Sequence, residues 1–256
     1  MKIAFFSDIH ANLPALETVL ADIDAQNPDA VYCLGDLVGY ATQPNEVVEL
    51  IKSRRIPTIA GNYDEGIGLA NGECGCAYKT DLDKDLGVQS IAYTDSVITP
   101  EHRQYLRMLP RHIRLEFQNP NLNLMLVHGS PRKINEYLFD DRPEASLLRI
   151  IRDAHTDVLL FGHTHKPYHR VLAYEEAGQT RYCHAINLGS VGKPKDGNPQ
   201  AGYVLLHLNE NTSTTDAQSL QVEFRRVDYD VEKAALAIEA SSLPNDFAQM
   251  LRTGGK

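Results

Sequence analysis

The chain has 256 residues, of which 43% are hydrophobic and 23% are charged, and its formal net charge is −9. This length suits one large domain or two small ones with a full core, and the acidic balance argues against an extended nucleic-acid-binding surface, which needs basic patches. Since no run of about 18 apolar residues occurs, the sequence indicates no transmembrane helix and no membrane partner.

Short apolar runs alternate with amphipathic segments at the start of the chain. Residues 3–6 and 30–34 predict strands that are buried on both faces, and residues 56–60 predict a third. Between them, residues 14–23 and 44–51 carry apolar side chains at helical spacing. Strand, helix and strand in this order form a βαβ unit, which implies a parallel sheet in this half.

Residues 64–109 break this rhythm. Residues 65–71 are Gly-rich, residues 81–96 and 100–109 predict helices, and no buried strand lies among them. We therefore predict a helical insertion in this segment, beside the active edge of the sheet.

Strands dominate the chain after the insertion. The predicted elements are strands at 111–117, 122–127 and 158–161 with a helix at 142–154, strands at 168–174, 181–186, 202–208 and 220–227, and helices at 231–240 and 245–251. We predict a single domain over residues 1–256, in which helices flank two sheets packed face to face. Residues 230–256 form its helical tail.

Five of the predicted apolar strands share one feature, a metal-binding side chain directly after the strand. Because ligands gather beyond the carboxyl ends of strands in open α/β sheets, these side chains are expected to meet at one sheet edge. Each motif alone is weak, but all five together are hard to attribute to chance. Carboxylates, imidazoles and one amide suit Mn²⁺, Fe or Zn²⁺ better than Ca²⁺. The residues are Asp8, His10, Asp36, Asn62, His128, His163 and His165.

The five motifs together resemble those of a known family. In order and spacing they are similar to the motifs of the calcineurin-like metallophosphoesterases, in particular the small bacterial and archaeal phosphodiesterase-type branch. The likeness runs from residue 2 to about residue 205 and includes a closing Gly-Ser turn at 187–192. The motifs are Asp8-Ile9-His10, Gly35-Asp36, Gly61-Asn62-Tyr63-Asp64, Val127-His128-Gly129 and Gly162-His163-Thr164-His165.

The resemblance implies a fold and a complete ligand set. The fold is an α/β, four-layer α/β/β/α sandwich of two mixed sheets flanked by helices. A first metal would be held by Asp8, His10 and His165, a second by Asn62, His128 and His163, and Asp36 would bridge them. Mn²⁺ is the favoured ion, with Fe, Zn²⁺, Ni²⁺ and Co²⁺ as alternatives.

The implied activity is hydrolysis of a small phosphorylated substrate. A hydroxide that bridges two metals is a nucleophile near neutral pH, and it would attack phosphorus in line with the leaving group. The alternatives are a phosphoprotein phosphatase, a dinucleoside polyphosphate hydrolase and a non-catalytic scaffold of the same fold. A scaffold typically lacks some of the ligands, whereas this sequence has all seven positions filled.

Tyr63 departs from the family pattern, which has a histidine credited with protonating or stabilising the leaving oxygen. A phenol donates a hydrogen bond but, with a pKa near 10, is a poor proton donor. This difference favours phosphodiesters, or esters with good leaving groups, over alkyl phosphomonoesters. The alternative is that Tyr63 only packs over the insertion.

Two further polar residues are candidates for contacting the phosphate. Asn12 follows the first motif and could reach a phosphate, or it could cap the helix that comes next. Arg132 follows the fourth motif and could clamp phosphate oxygens, or it could form a surface ion pair.

Four cysteines are too few and too scattered for a disulfide framework, and no secretion signal precedes the first strand, so a cytoplasmic location is expected. The pair Cys74 and Cys76 lies in the insertion, where no further soft ligand is evident. We interpret both as ordinary loop or core cysteines.

Overall fold

A computed structural model describes residues 1–78 and 80–255 of the chain. The strands are β1 (Lys2–Phe6), β2 (Ala30–Cys33), β3 (His112–Gln118), β4 (Asn121–Val127), β5 (Val158–Phe161), β6 (Tyr168–Glu176), β7 (Gln179–Asn187), β8 (Ala201–His207) and β9 (Gln221–Val227). The helices are α1 (Leu13–Gln26), α2 (Pro44–Ser53), α3 (Asn62–Gly68), α4 (Asp81–Val97), α5 (Pro100–Arg107), α6 (Glu144–Asp153), α7 (Val231–Glu239) and α8 (Asn245–Thr253).

The strands form two mixed sheets. One sheet has the order β2-β1-β8-β9 and the other β3-β4-β5-β7-β6. In the first sheet, β1 is parallel to β2 and antiparallel to β8. In the second, β4, β5 and β7 are parallel, and β3 and β6 are antiparallel edge strands. Both the predicted βαβ unit and the predicted mixed sheets are confirmed.

The two faces of β1 show how the layers stack. Ile3 and Phe5 belong to the apolar core between the two sheets, whereas Ala4 and Phe6 pack under the helices that cover the first sheet. Each fully buried large side chain such as Phe5 contributes roughly 1.5–3 kcal/mol of transfer free energy. A separate core joins the second sheet to α6. The architecture is the four-layer α/β/β/α sandwich that the family resemblance implied.

Helix α1 begins directly after the first predicted ligands. The Asn12 side chain accepts a hydrogen bond from the Ala15 backbone N–H and so caps the helix. Leu16 and Val19 lie on its buried face. The helix ends at Gln26, and the next residue, Asn27, adopts left-handed backbone. A capped start fixes where the chain leaves β1.

One predicted strand is wrong. Residues 56–60 form no strand, and only an isolated bridge joins Thr58 to Cys33 at the end of β2. Pro57 has no N–H to donate to a ladder, so the run cannot continue the pairing beyond this contact. The run still passes beside the first sheet and delivers its last residues to the same edge.

The segment between this run and β3 contains α3, α4 and α5. Helix α3 occupies part of the Gly-rich stretch 65–71, which the sequence alone assigned to no element. The C-terminal helices α7 and α8 pack on each other, and their core includes Leu86 of α4. None of the helices in the described ranges is both long enough and apolar enough to cross a membrane.

Candidate metal centre

Seven buried polar side chains meet at one end of the two sheets. They lie in the turns after β1, β2, β4 and β5 and at the first residue of α3, and their exposed fractions are 0–3%. Asp8, His10, Asp36 and His165 form one group with potential ligand atoms within 4.8 Å of one another, and Asp36, His128 and His163 form a second. The structure therefore brings six of the seven predicted metal ligands into these two groups, with Asp36 common to both, and Asn62 lies beside His128.

The Asp36 carboxylate lies between two imidazoles. Its Oδ2 is 3.5 Å from His10 Nε2 and 3.3 Å from His128 Nε2. Its Oδ1 accepts a hydrogen bond of 2.9 Å from the Tyr63 backbone N–H, which fixes the carboxylate plane. Asp36 is thus placed to supply an oxygen to both groups.

Backbone carbonyls fix the tautomers of three histidines. Nδ1 of His10 is 3.0 Å from the Val38 carbonyl oxygen, and Nδ1 of His128 is 2.8 Å from that of Leu34. Nδ1 of His165 contacts another carbonyl, that of residue 193. Because a carbonyl only accepts, each Nδ1 must carry a proton, and each Nε2 faces the site, where it offers a lone pair in the neutral form of the ring.

These lone pairs face one another or other acceptors. Nε2 of His10 and Nε2 of His165 are 3.1 Å apart, and Nε2 of His128 is 3.1 Å from Asn62 Oδ1. Nε2 of His163 is buried and has no partner within the described residues. Buried acceptors without a donor are costly, and a cation among them would satisfy all of them. The donor set therefore fits two divalent metal ions.

Burial keeps three of the four imidazoles neutral. Burial lowers the pKa of His10 to about 3 and that of His163 to about 3, and it also holds the pKa of His165 well below its usual value. Burial disfavours the charged form of His128 too, but the adjacent Asp36 carboxylate outweighs it and raises its pKa to about 10. A divalent cation would compete with that proton for the same lone pair.

Five of the seven residues adopt left-handed backbone. The φ angles are 57° at Asp8, 50° at His10, 54° at Asp36, 66° at His163 and 59° at His165. Such conformations are uncommon for residues with a Cβ, and they cluster at functional sites where the surrounding structure holds them. The sharp turns aim successive side chains at one point, a property that no sequence pattern revealed.

Two glycines allow the turns to approach each other. A Cβ at Gly61 would overlap Asp36, and a Cβ at Gly162 would overlap Asp8. Asp64 braces the same turns, because its carboxylate accepts hydrogen bonds of 2.9 Å from the backbone N–H groups of Gly61 and Leu37. The sequence showed Asp64 as part of a motif but gave it no role, because both partners are backbone groups.

Tyr63 lies behind this centre. It is 1% exposed, its ring is 5.5 Å from that of His10, and the described residues give its hydroxyl no hydrogen-bond partner. The ring also packs against Tyr40 and fills the space where Gly39 has no side chain. Its surroundings are those of a core side chain.

The side chains of Asn12 and Arg132 form hydrogen bonds and an ion pair outside the candidate metal centre. Besides capping α1, Asn12 donates through Nδ2 to the Gly192 carbonyl and the Tyr229 hydroxyl, which uses both of its amide hydrogens. Arg132 is half exposed and forms an ion pair with Glu136. The structure brings neither side chain to the metal-compatible groups.

The insertion contributes a thiol next to the centre. The Asn62 side chain donates through Nδ2 to the Cys74 carbonyl at 2.9 Å and to Cys76 Sγ at 3.3 Å. These contacts turn Asn62 Oδ1 toward the centre. Burial raises the pKa of both thiols, and within the described residues no cysteine belongs to a metal-compatible group.

Comparison with known proteins agrees with this arrangement. Residues 1–211 match the calcineurin-like phosphoesterase superfamily domain. The protein MJ0912 of Methanocaldococcus jannaschii is 32% identical over 266 residues, which cover 98% of each chain. Phosphodiesterase YfcE of Escherichia coli K12 is 28% identical over 80% of this chain and 87% of its own. The crystal structure of a metallophosphoesterase from Sphaerobacter thermophilus superposes with a TM-score of 0.72 at 29% identity, covering 99% of both chains.

Proposed function

The chain belongs to the calcineurin-like phosphoesterase superfamily, and from this premise we propose that it is a two-metal phosphodiesterase acting on small molecules. One observation carries the proposal. Seven buried donors converge, several of them with lone pairs that face one another, and bound cations would satisfy these groups together. The full donor set also argues against a non-catalytic scaffold.

The chain's own residues have separate parts in this proposal. Asp8, His10 and His165 would hold one divalent ion, Asn62, His128 and His163 the other, and Asp36 both. Bound there, two divalent ions supply an activated water and neutralise the phosphoryl oxygens. The carbonyl contacts hold a proton on each Nδ1 and orient the rings so that Nε2 faces the site.

The preference for diesters follows from Tyr63. Its hydroxyl is buried, and burial raises the pKa of this phenol well above its usual value. No proton donor therefore stands at the position where related enzymes have a histidine. A leaving group that departs as a stable anion needs no such donor, whereas an alkoxide from an alkyl monoester does.

Mn²⁺ is the ion we propose, because hard carboxylates combine here with imidazoles of intermediate softness; Fe, Zn²⁺, Ni²⁺ and Co²⁺ suit the same donors. The cytoplasm is the proposed location, since a reduced setting agrees with four free cysteines.

Purification followed by elemental analysis and a phosphoester panel with added Mn²⁺ tests the proposal. We expect about two equivalents of metal per chain and turnover of bis(p-nitrophenyl) phosphate at least about tenfold above that of an alkyl phosphomonoester. Efficient turnover of the alkyl monoester would contradict the diester preference. Absence of both metal and turnover would overturn the assignment as a hydrolase.

A further inference from the structure

A cavity of about 320 Å³ opens beside the candidate metal centre. Its walls include Thr164, which lies between two of the donors, and Tyr137, whose ring centroid is 4.0 Å from that of His163. Cys76, in contact with Asn62, lines it as well. A substrate phosphate at the metals would therefore extend its other substituent into this cavity.

The cavity is cationic although the chain is acidic. Three lysines line it, Lys166, Lys193 and Lys195, with Asp83 as the opposing charge. None of the three ammonium groups forms an ion pair within the residues that the structure describes, and the Asp83 carboxylate accepts hydrogen bonds from Thr80 instead. The cavity thus presents an excess of positive charge to its contents.

Lys193 is the most informative of these side chains. It is only 5% exposed, and its Nζ donates no hydrogen bond to any described residue. It lies 4.4 Å from the centroid of the Tyr40 ring and 5.9 Å from that of Phe247. Burial and the neighbouring Lys195 lower the pKa of Lys193, and no carboxylate of the described residues forms an ion pair with it, so an anion that entered the cavity would stabilise its charged form.

A flat aromatic surface stands in the same cavity. The rings of Tyr137 and Phe139 are stacked with centroids 5.5 Å apart and an interplanar angle of 14°. Phe139 is 38% exposed and lines the cavity. Such a platform binds planar rings by stacking, without regard to their exact hydrogen-bonding pattern.

We propose that this cavity selects phosphoesters whose other substituent carries a second anionic group and a planar aromatic ring. The inference rests on the proposed function, since the scissile phosphate must lie at the metals. The second anion would pair with Lys193, assisted by Lys166 and Lys195, and the ring would stack on Phe139. A nucleotide with more than one phosphate has this chemistry.

Part of the selecting wall lies outside the segment that matches the family. Phe247, Met250 and Gly255 line the cavity, whereas the family match ends at residue 211. The C-terminal segment therefore contributes one side of the cavity, whereas the candidate metal ligands, the three lysines and Phe139 all lie within the matched segment.

Two matched ligand pairs isolate the two features by calorimetric titration of the full-length protein, as purified and again after treatment with a chelator. ADP against AMP changes only the second phosphate, and AMP against ribose 5-phosphate changes only the ring. We expect each larger ligand to bind about tenfold more tightly, the gain typical of one buried charge pair or one stacked base. Kd values within twofold in either pair would overturn the corresponding half of the proposal.

Substitutions test which residue is responsible for each of these two gains in affinity. Lys193→Met should remove the preference for ADP over AMP, Lys193→Arg should restore it, and Phe139→Ala should remove the preference for AMP over ribose 5-phosphate. Lys233→Met, on the exposed side of α7, is the control. An unchanged ADP preference in Lys193→Met overturns the assignment; if that variant does not fold, the same comparison in Lys195→Met decides.

The two proposals fail in different ways. Ligand preferences that persist in the chelated protein, with no ester hydrolysed by the metal-loaded protein, defeat the proposed function and leave the binding chemistry standing. Hydrolysis of the aryl diester without either ligand preference defeats the cavity assignment alone.

Discussion

The metal centre and the adjoining cavity differ in what holds their residues in place. In the centre, the chain is held by its own backbone: the turn after β1 donates from the N–H groups of Asp8 and His10 to the carbonyls of Gly35 and Asp36, at 2.9 Å each. In the cavity, the walls are side chains from loops and helices, and Lys193 donates no side-chain hydrogen bond to the described residues. The positions of the donors in the centre are thus fixed by hydrogen bonds, whereas the side chains that line the cavity are free to adjust to a ligand.

This difference indicates how the two regions should respond to substitution. A change in the centre disturbs several bonds at once and should cost metal and activity together. A change in the cavity should alter the choice of ligand while the centre stays intact. The following expectations, from the largest effect to the smallest, test that division.

Asp36→Asn should have the largest effect, because Asp36 is the one side chain shared by both groups of donors. We expect kcat/KM for an aryl phosphodiester to fall by at least about 10³-fold, with bound metal reduced toward one equivalent or less. Asp140→Asn, at an exposed position, is the control. Activity within tenfold of the wild type would show that the centre does not depend on a shared carboxylate.

Gly61→Ala tests whether close backbone approach is required. The added methyl group would overlap Asp36, so we expect metal affinity and kcat/KM to fall by about 10- to 100-fold, the usual result of disturbing groups that orient ligands. Gly202→Ala adds a methyl group whose nearest neighbour would lie 3.4 Å away, at a position without left-handed backbone, and serves as the matched control. Equal effects of the two substitutions would contradict the packing argument.

A histidine pair away from the centre, of which His184 is the buried member, should make stability acid-sensitive. His184 is 2% exposed, its Nδ1 is 2.9 Å from Nε2 of His169, and burial lowers its pKa to about 4. The unfolded chain, with a histidine pKa near 6.5, binds more protons between these values, so stability is full above pH 6.5 and falls as the pH drops toward 4.

We expect His184 to account for about 2 kcal/mol of the stability lost between pH 7 and pH 5. Urea unfolding of the metal-saturated protein and of His184→Gln at both pH values measures this contribution, which the variant should lack. Parallel losses in the two proteins would show that the acid sensitivity arises elsewhere.

Tyr63→Phe should have the smallest effect. The hydroxyl is buried and unpaired, so its removal should raise the free energy of unfolding by about 1 kcal/mol, within the range for an unsatisfied buried group. We expect kcat/KM to stay within about threefold, since Tyr63 is not among the residues that line the cavity beside the centre. A hundredfold loss with unchanged stability would instead identify Tyr63 as a donor to the leaving group.

The structure could be predicted from the sequence wherever the local pattern of apolar residues determines it. Apolar runs and helical stripes located β1, α1 and β2, and the rule that ligands lie beyond strand ends brought Asp8 and His163 to one edge although they are far apart in the chain. The rule worked because it depends on topology, which alternation of strands and helices already determines.

Features that depend on contacts distant in sequence could not be predicted. Pro57 reduces the third run to a single bridge, which only the position of β2 reveals. The left-handed backbone at Asp36 is imposed by the turns packed around it. Nothing in the sequence marks Lys193 as a buried residue, because the aromatic rings that cover it belong to Tyr40 and Phe247, which are far from it along the chain.

The shared edge of the two sheets has a consequence for the mechanics of the chain. Asp8 and Asp36 follow strands of the first sheet, whereas His128 and His163 follow strands of the second, and His10 and His165 meet although they are 155 positions apart. In polymer terms, a cation bound there is a reversible cross-link that closes a very long loop. Such a cross-link would stabilise the folded chain, because it restricts the unfolded ensemble and joins the two sheets. Removal of the cation by a chelator would remove this stabilisation.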